Sequence, residues 1–167
     1  GIGTVKIIQK HAELLARRTG RPILISAVSA RDRMKNRDAD LSSYVWEEDP
    51  VRLATRKDVD VFVELMGGAD GAAFDATRAA IAAGKDVVTA NKAMLAHHGH
   101  TLAAQAEARG HVIRFEAAVA GGIPVVKALT EGLAGNAITR VMGVMNGTCN
   151  YILTRMESAG LAYAEVF

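Results

Sequence analysis

Residues 60–92 read DVFVELMGGADGAAFDATRAAIAAGKDVVTANK, and the fold turns on them. Residues 60–65 are a short apolar run closed by Gly67 and Gly68, which predicts a strand. Residues 70–83 are rich in alanine, with Gly84 just past the end, where a left-handed residue commonly closes a helix. Residues 86–89 (DVVT) form the next strand, and Thr89-Ala90-Asn91-Lys92 follows it directly. Strands apolar along their length and separated by helices predict a parallel sheet covered on both faces.

The same alternation continues in both directions. Towards the C-terminus, residues 98–109 predict a helix ending at Gly110, and residues 111–116 a strand. After Gly121-Gly122, the residues Ile123, Val126, Leu129 and Leu133 share one face of a helix that ends near Gly135. Residues 138–145 read as a strand of a new sheet, 148–158 as a helix, and the last residues as the opening turn of another. Towards the N-terminus, residues 23–28 predict a strand. Residues 4–18 predict a helix, with Val5, Ile8, Ala12 and Leu15 at helical spacing and Gly20 and Pro22 stopping it. The expected class is α/β, a doubly wound parallel sheet followed by the start of an α+β domain. The boundary falls between Gly121 and Gly135, giving domains of 1–122 and 123–167.

Of the 167 residues, 50% are hydrophobic and the net charge is +2, which directs the chain to neither nucleic acid nor an acidic membrane surface. No apolar stretch reaches the roughly 20 residues of a membrane helix. One cysteine, Cys149, excludes an internal disulfide framework and points to the reducing cytoplasm.

Gly1-Ile2-Gly3-Thr4-Val5 begins a G-x-G-x-x-G fingerprint, whose glycines let a pyrophosphate approach the N–H groups of a helix N-terminus. Lys6 occupies the third glycine position. No strand precedes Gly1, although that strand would be the central one, so residues are expected to be missing before Gly1 and around Lys6. An NAD-specific fold ends its second strand in a carboxylate. Here the strand runs into Ser29-Ala30-Arg31, and Arg31 suits a 2′-phosphate; Asp32 beside it keeps NAD open, and an ordinary exposed arginine is the plain alternative. Lys92 lies at the carboxyl edge where α/β ligands bind. On spacing alone it is a solvated first-turn lysine. Glu116, on the same footing, ends a strand and caps nearby N–H groups, and Cys149 is a small buried thiol.

VELMGG, VVTANKAMLAHHG, FEAAVAGGIPVVKAL and GVMNGTCNYILTRM follow one another at the spacing found in homoserine dehydrogenases, and the chain resembles that family over essentially its whole length. The resemblance implies a Rossmann-type nucleotide-binding domain and the start of a substrate domain. It implies reversible hydride transfer between NAD(P)H and L-aspartate 4-semialdehyde to give L-homoserine, a step of threonine, methionine and isoleucine biosynthesis. Carried over by position, Gly1, Gly3, Thr4 and Val5 lie on the cofactor phosphates, and Ala27 and Arg31 towards the adenosine. Gly67 and Gly68 form the loop the cofactor passes, and Lys92 lies at the nicotinamide and substrate. Glu116, Val119, Gly121 and Ile123 match the ligands of a monovalent cation, sodium, which one carboxylate and several carbonyls can cage. Gly147 and Thr148 match the substrate end, and a homo-oligomer is implied. The family's acidic segment and its acid/base lysine are expected beyond Phe167, so these residues alone are expected to be inactive.

Two other readings carry different predictions. A module that binds NADP without chemistry predicts nucleotide binding indifferent to homoserine. An aldehyde dehydrogenase acting through Cys149 would place a low-pKa thiol at a helix N-terminus, but N-G-T-C-N is the wrong order for that pattern. His97, His98 and His100 sit at an expected helix junction with no carboxylate or cysteine set beside them, so a solvated loop is preferred to a metal site.

Overall fold

The computed structural model describes residues 1–144 and 146–167. Its contacts divide the chain into two compact units, Gly1–Val126 and Lys127–Phe167.

The first unit is built on parallel strands. β1 (Ala27–Val28) pairs with β2 (Val45–Trp46), and α3 (Pro50–Ala54) follows, after α1 (Ile2–Lys10) and α2 (Ala12–Thr19) at the start. β3 (Val61–Glu64), β4 (Asp86–Thr89) and β5 (Ile113–Arg114) form a second sheet in that order, with α4 (Ala72–Ala82) and α5 (Lys92–Glu107) as crossovers. The strand–helix–strand reading of residues 60–92 holds, and β4 has the expected bounds. Phe62, Val87, Ala76, Ala80, Ile81, Met94, Leu102 and Ala106 form the core, joined by Leu53 and Ala54 of α3. α4 stops where Gly84 takes φ +71°. Its N–H reaches the Ile81 carbonyl and that of Lys85 reaches Ala80, so the last carbonyls are satisfied as the chain turns into β4.

Several expectations are corrected. The sheet is in two pieces, because β1 and β3 do not pair; Ser26 Oγ donating to the Asp58 carbonyl at 2.8 Å is one link between the segments preceding them. One face of β3 is buried through Phe62 and Glu64, while Val61 and Val63 on the other are exposed. The helix expected over 4–18 starts at Ile2 and breaks at His11, whose ψ of 23° leaves the helical range. Residues 23–25 and His111 lie outside the strands, the Ser26 and Val112 carbonyls accept the Val45 and Val87 N–H groups at 3.2 and 2.9 Å, and Glu116 belongs to a 3-10 turn, Glu116–Ala118, not to a strand. α5 starts at Lys92, six residues before the expected 98, because Asn91 caps it. β2 and α3 were not anticipated, although Asp49-Pro50 is a start signal: the Asp49 carboxylate accepts the Val51 N–H at 2.8 Å.

In place of the helix expected to run from Ile123 to near Gly135, α6 (Val125–Lys127) makes one turn, and Ala128–Gly132 is π-helical, its ring closed by Leu133 N–H on the Ala128 carbonyl at 2.9 Å. In the second unit, residues 138–144 form no strand, and Met145, the end of that expected strand, lies outside the described residues. α7 (Gly147–Ala159) matches the expected 148–158 and closes on Gly160; α8 (Tyr163–Val166) is the expected further turn. Among the described residues no helix is long and apolar enough to cross a membrane.

Candidate functional site

The carboxyl ends of β3 and β4 sit side by side, and two loops leave them. Residues 65–71 run to α4, and Ala90-Asn91 run to α5. Glu64 closes β3 and is 1% exposed. Its Oε2 accepts the Thr89 hydroxyl, and its Oε1 accepts the Met66 N–H, both at 2.5 Å. Thr89 Oγ1 in turn accepts the Asn91 N–H at 3.0 Å. Asn91 Nδ2 donates to the Gly68 carbonyl at 2.8 Å, while its Oδ1 caps α5 by accepting the Met94 N–H at 3.0 Å. The two loops are thus joined in a hydrogen-bonded ring whose side chains, Glu64, Thr89 and Asn91, are all buried. Each member suits its place: the carboxylate oxygens accept, a hydroxyl donates once and accepts, and an amide does both.

This ring holds three of the expected site residues. Gly67 and Gly68 are exposed on its lip. Gly68 has φ +97°, a conformation that a side chain strains. At Gly67 no positive φ demands glycine, and an added β-carbon would meet no atom within 4 Å. Packing within the chain therefore gives no reason for glycine there. Lys92 is exposed at the first position of α5. A cation at that end opposes the helix dipole, at a cost of roughly 0.3–1 kcal/mol, so helix stability is not what places it there.

The other expected residues stand on other segments. Gly1 caps α1, and Gly3, Thr4 and Val5 are within its first turns; the N–H groups of Thr4 and Val5 bond to the Gly1 carbonyl at 3.1 and 3.2 Å. Gly3 is therefore helical, not part of a turn ahead of the helix. A β-carbon on Gly1 or Gly3 would meet nothing within 4 Å. Ala27 packs against the core, and Arg31 is exposed on the loop after β1. In that loop Asp32 Oδ1 accepts the N–H groups of Met34 and Lys35, at 2.8 and 3.2 Å, so this carboxylate is turned onto its own backbone. The Arg33 and Arg37 guanidinium groups stand 5.8 and 5.6 Å from the Trp46 ring centroid.

Glu116 Oε1 accepts the Val126 N–H at 3.1 Å, which is the capping role open to it from the sequence. Val119, Gly121 and Ile123 follow on irregular backbone, with φ of +50° at Ala120 and +86° at Gly122. The donor set, a carboxylate and backbone carbonyls, is of the hard-oxygen kind. In the second unit Asn146 caps α7 through the Cys149 N–H at 3.0 Å, and Gly147 and Thr148 are exposed in its first turn. Cys149 is exposed, not buried as its small apolar character suggested. His98 is corrected as well. It lies inside α5, stacks on Phe74 at 4.2 Å between centroids, and its Nε2 is 2.8 Å from Asp70 Oδ1. No group of three metal-ligating side chains occurs among the described residues.

Residues 1–116 match the NAD-binding domain of homoserine dehydrogenase, and residues 124–167 match the homoserine dehydrogenase domain that follows it. The chain belongs to the homoserine dehydrogenase family. It is 46% identical to the homoserine dehydrogenase of Neisseria gonorrhoeae and 42% identical to that of Pseudomonas aeruginosa, each over 99% of this chain and 38% of the relative. The crystal structure of a homoserine dehydrogenase from Thiobacillus denitrificans superimposes with a TM-score of 0.88 at 40% identity, over 99% of this chain and 38% of that one. A hyperthermophilic archaeal homoserine dehydrogenase mutant in complex with NADPH aligns with a TM-score of 0.65 at 26% identity, over 93% of this chain and 43% of that one. The chain thus spans about 38% of the length of these curated relatives. The first unit is a Rossmann-type α/β domain with parallel sheets, and the nucleotide it serves is a nicotinamide dinucleotide.

Proposed function

We propose that this chain supplies the cofactor-binding domain, and the start of the substrate domain, of an enzyme that interconverts L-homoserine and L-aspartate 4-semialdehyde, with NADP as the preferred cofactor. The observation that carries the reading is the glycine lip at Gly67-Gly68 beside Lys92, held by a buried ring at the carboxyl edge of a parallel sheet. The space beside Gly67 is left open by the chain itself, which fits a dinucleotide passing close to the backbone. When bound, the nicotinamide takes or gives the hydride. Gly67 and Gly68 let the cofactor approach, and Lys92 brings a positive charge to the reacting end. Gly1, Gly3, Thr4 and Val5 serve the pyrophosphate through the start of α1.

NADP over NAD is supported by the loop after β1. Arg31 is exposed there and Arg33 and Arg37 are nearby, while Asp32, the carboxylate a ribose would need, turns one of its two oxygens onto its own backbone. Residues 1–122 serve the nucleotide. Residues from 123 begin the substrate domain, where Gly147 and Thr148 present N–H and hydroxyl groups to the polar end of the amino acid. Glu116, with the carbonyls of Val119, Gly121 and Ile123, would hold a monovalent cation, sodium, by hard-oxygen coordination. The residues serve a homo-oligomeric protein, and the single cysteine among them supports a place in the reducing cytoplasm.

The test is nicotinamide absorbance after L-homoserine is added to full-length protein carrying these residues, with NADP and NAD in parallel. A homoserine-dependent rise, faster with NADP, is the expected result. Flat traces with both cofactors from folded protein would leave only a nucleotide-binding module.

A further inference from the structure

Glu64 is charged by type and almost wholly buried, and neither the glycine fingerprint nor the lysine motif uses it. Burying a carboxylate is costly unless donors meet it. Here two do, and they come from different loops: the Met66 N–H from the glycine lip and the Thr89 hydroxyl from the end of β4. Thr89 passes the connection to Asn91, and Asn91 returns it to Gly68 while capping the helix that carries Lys92. The backbone adds a further tie, Ala90 N–H to the Glu64 carbonyl at 3.2 Å. The lip and the lysine therefore share one support, and it has a polarity. Thr89 has one proton, given to Glu64, so its oxygen is left to accept from Asn91. A group at position 64 that cannot accept from Thr89 leaves that hydroxyl proton without its partner.

We propose that Glu64 is a positioning residue for the cofactor, acting through Thr89 and Asn91 to hold the Gly67-Gly68 lip and Lys92 at a set separation. The proposal rests on the cofactor reading above and adds to it the residue that sets the site's geometry. Glu64 touches neither cofactor nor substrate in this account. Its effect is transmitted through the two loops, so it is read in cofactor affinity more than in homoserine affinity.

The experiment uses full-length protein carrying these residues, in five forms: the parent, Thr89→Val, Thr89→Ser, Glu64→Gln, and Glu64→Gln with Thr89→Val. NADPH affinity is read by the fluorescence of the bound nucleotide, and KM for NADP and for homoserine by steady-state kinetics. Far-UV circular dichroism confirms folding. Thr89→Val keeps the shape and removes the hydroxyl, and is expected to weaken NADPH binding about tenfold. Thr89→Ser recovers most of that loss. Glu64→Gln leaves one acceptor oxygen for two donors, so its amide nitrogen faces either the Thr89 hydroxyl or the Met66 N–H and one link of the ring is lost. In the double variant the amide oxygen serves Met66, so the double variant is little worse than Thr89→Val alone. KM for NADP rises several times more than KM for homoserine. Unchanged NADPH affinity in folded Thr89→Val overturns the proposal, as do losses that simply add in the double variant. If Glu64→Gln does not fold, the Thr89→Val and Thr89→Ser pair decides the matter alone. A parent that binds no NADPH refutes the cofactor reading itself, a separate and earlier failure visible in the first titration.

Discussion

Gly67 and Gly68 are neighbours on one loop, yet alanine at the two positions should have opposite effects on stability. At Gly67 the backbone avoids positive φ, and an added β-carbon meets nothing within 4 Å. The folded chain accepts the methyl group without strain, and the unfolded chain loses freedom, so Gly67→Ala should stabilise the protein by about 0.4–1 kcal/mol. At Gly68 φ is +97°, and although the nearest atom, the Asp70 carbonyl oxygen, is 3.6 Å from the added carbon, the conformation itself is strained. Gly68→Ala should destabilise by about 1–3 kcal/mol. For a domain of this size each kcal/mol moves the melting temperature by roughly 2–4 °C, so the two variants should melt on opposite sides of the parent. Binding should not follow stability. If the space beside Gly67 is where the cofactor passes, the methyl overpacks it by about 1–3 kcal/mol, which raises the NADPH Kd roughly five- to 150-fold. Thermal melts and fluorescence titrations with NADPH measure both quantities on the same samples. A Gly67→Ala variant that is more stable and binds NADPH as the parent does would show that the open space beside the lip is empty by chance.

Two further perturbations probe the framework. Thr77 is fully buried in α4, and its hydroxyl is the buried side-chain oxygen without a hydrogen-bond partner among the described residues. Thr77→Val keeps the shape and should raise stability by about 1 kcal/mol, read as a higher denaturation midpoint at unchanged slope; a lower midpoint would contradict the burial. Arg56 grips both oxygens of Asp58, at 2.9 and 2.8 Å, and this hydrogen bonding holds the Asp58 carboxyl below its ordinary value of 3.8. A carboxyl lowered on folding contributes stability at pH values above its unfolded pKa, and loses it as pH falls through the folded one. Urea midpoints followed into acid should therefore fall less steeply for Asp58→Asn than for the parent, and the difference should shrink in salt. Parallel curves would mean the pair contributes nothing.

The centre of the fold was legible because residues 60–92 carry their signals locally. Apolar runs of strand length, an alanine-rich helix and a glycine at its end each act within a few residues. The shortfalls are of two kinds. Residues 23–25 and 138–144 have the apolar character of strands, but a strand exists only through a partner, and pairing is not written in the segment itself. The start of α5 was misplaced although its signal was present: Asn91 stands three residues ahead of Met94, whose N–H it caps. For the site, Gly67, Gly68 and Lys92 could be named from their motifs. Glu64, Thr89 and Asn91 could not be linked, because the bond that joins them crosses 25 residues of sequence and a strand-end glutamate looks like any solvated one. Cys149 went the other way, read as a buried thiol from its type and found exposed on α7.

Trp46 is the single tryptophan of the 167 residues, and the structure sets it under the arginines of the loop after β1. It is the one indole among these residues, and it stands beside the adenosine end of the proposed site. A nearby guanidinium shifts indole emission, so a ligand phosphate that draws Arg33 or Arg37 away changes the colour and yield of Trp46 directly. Events at the glycine lip have no tryptophan of their own to report them. Titration with the oxidised nucleotide, which does not absorb where indole emits, thus reads the adenosine end through Trp46.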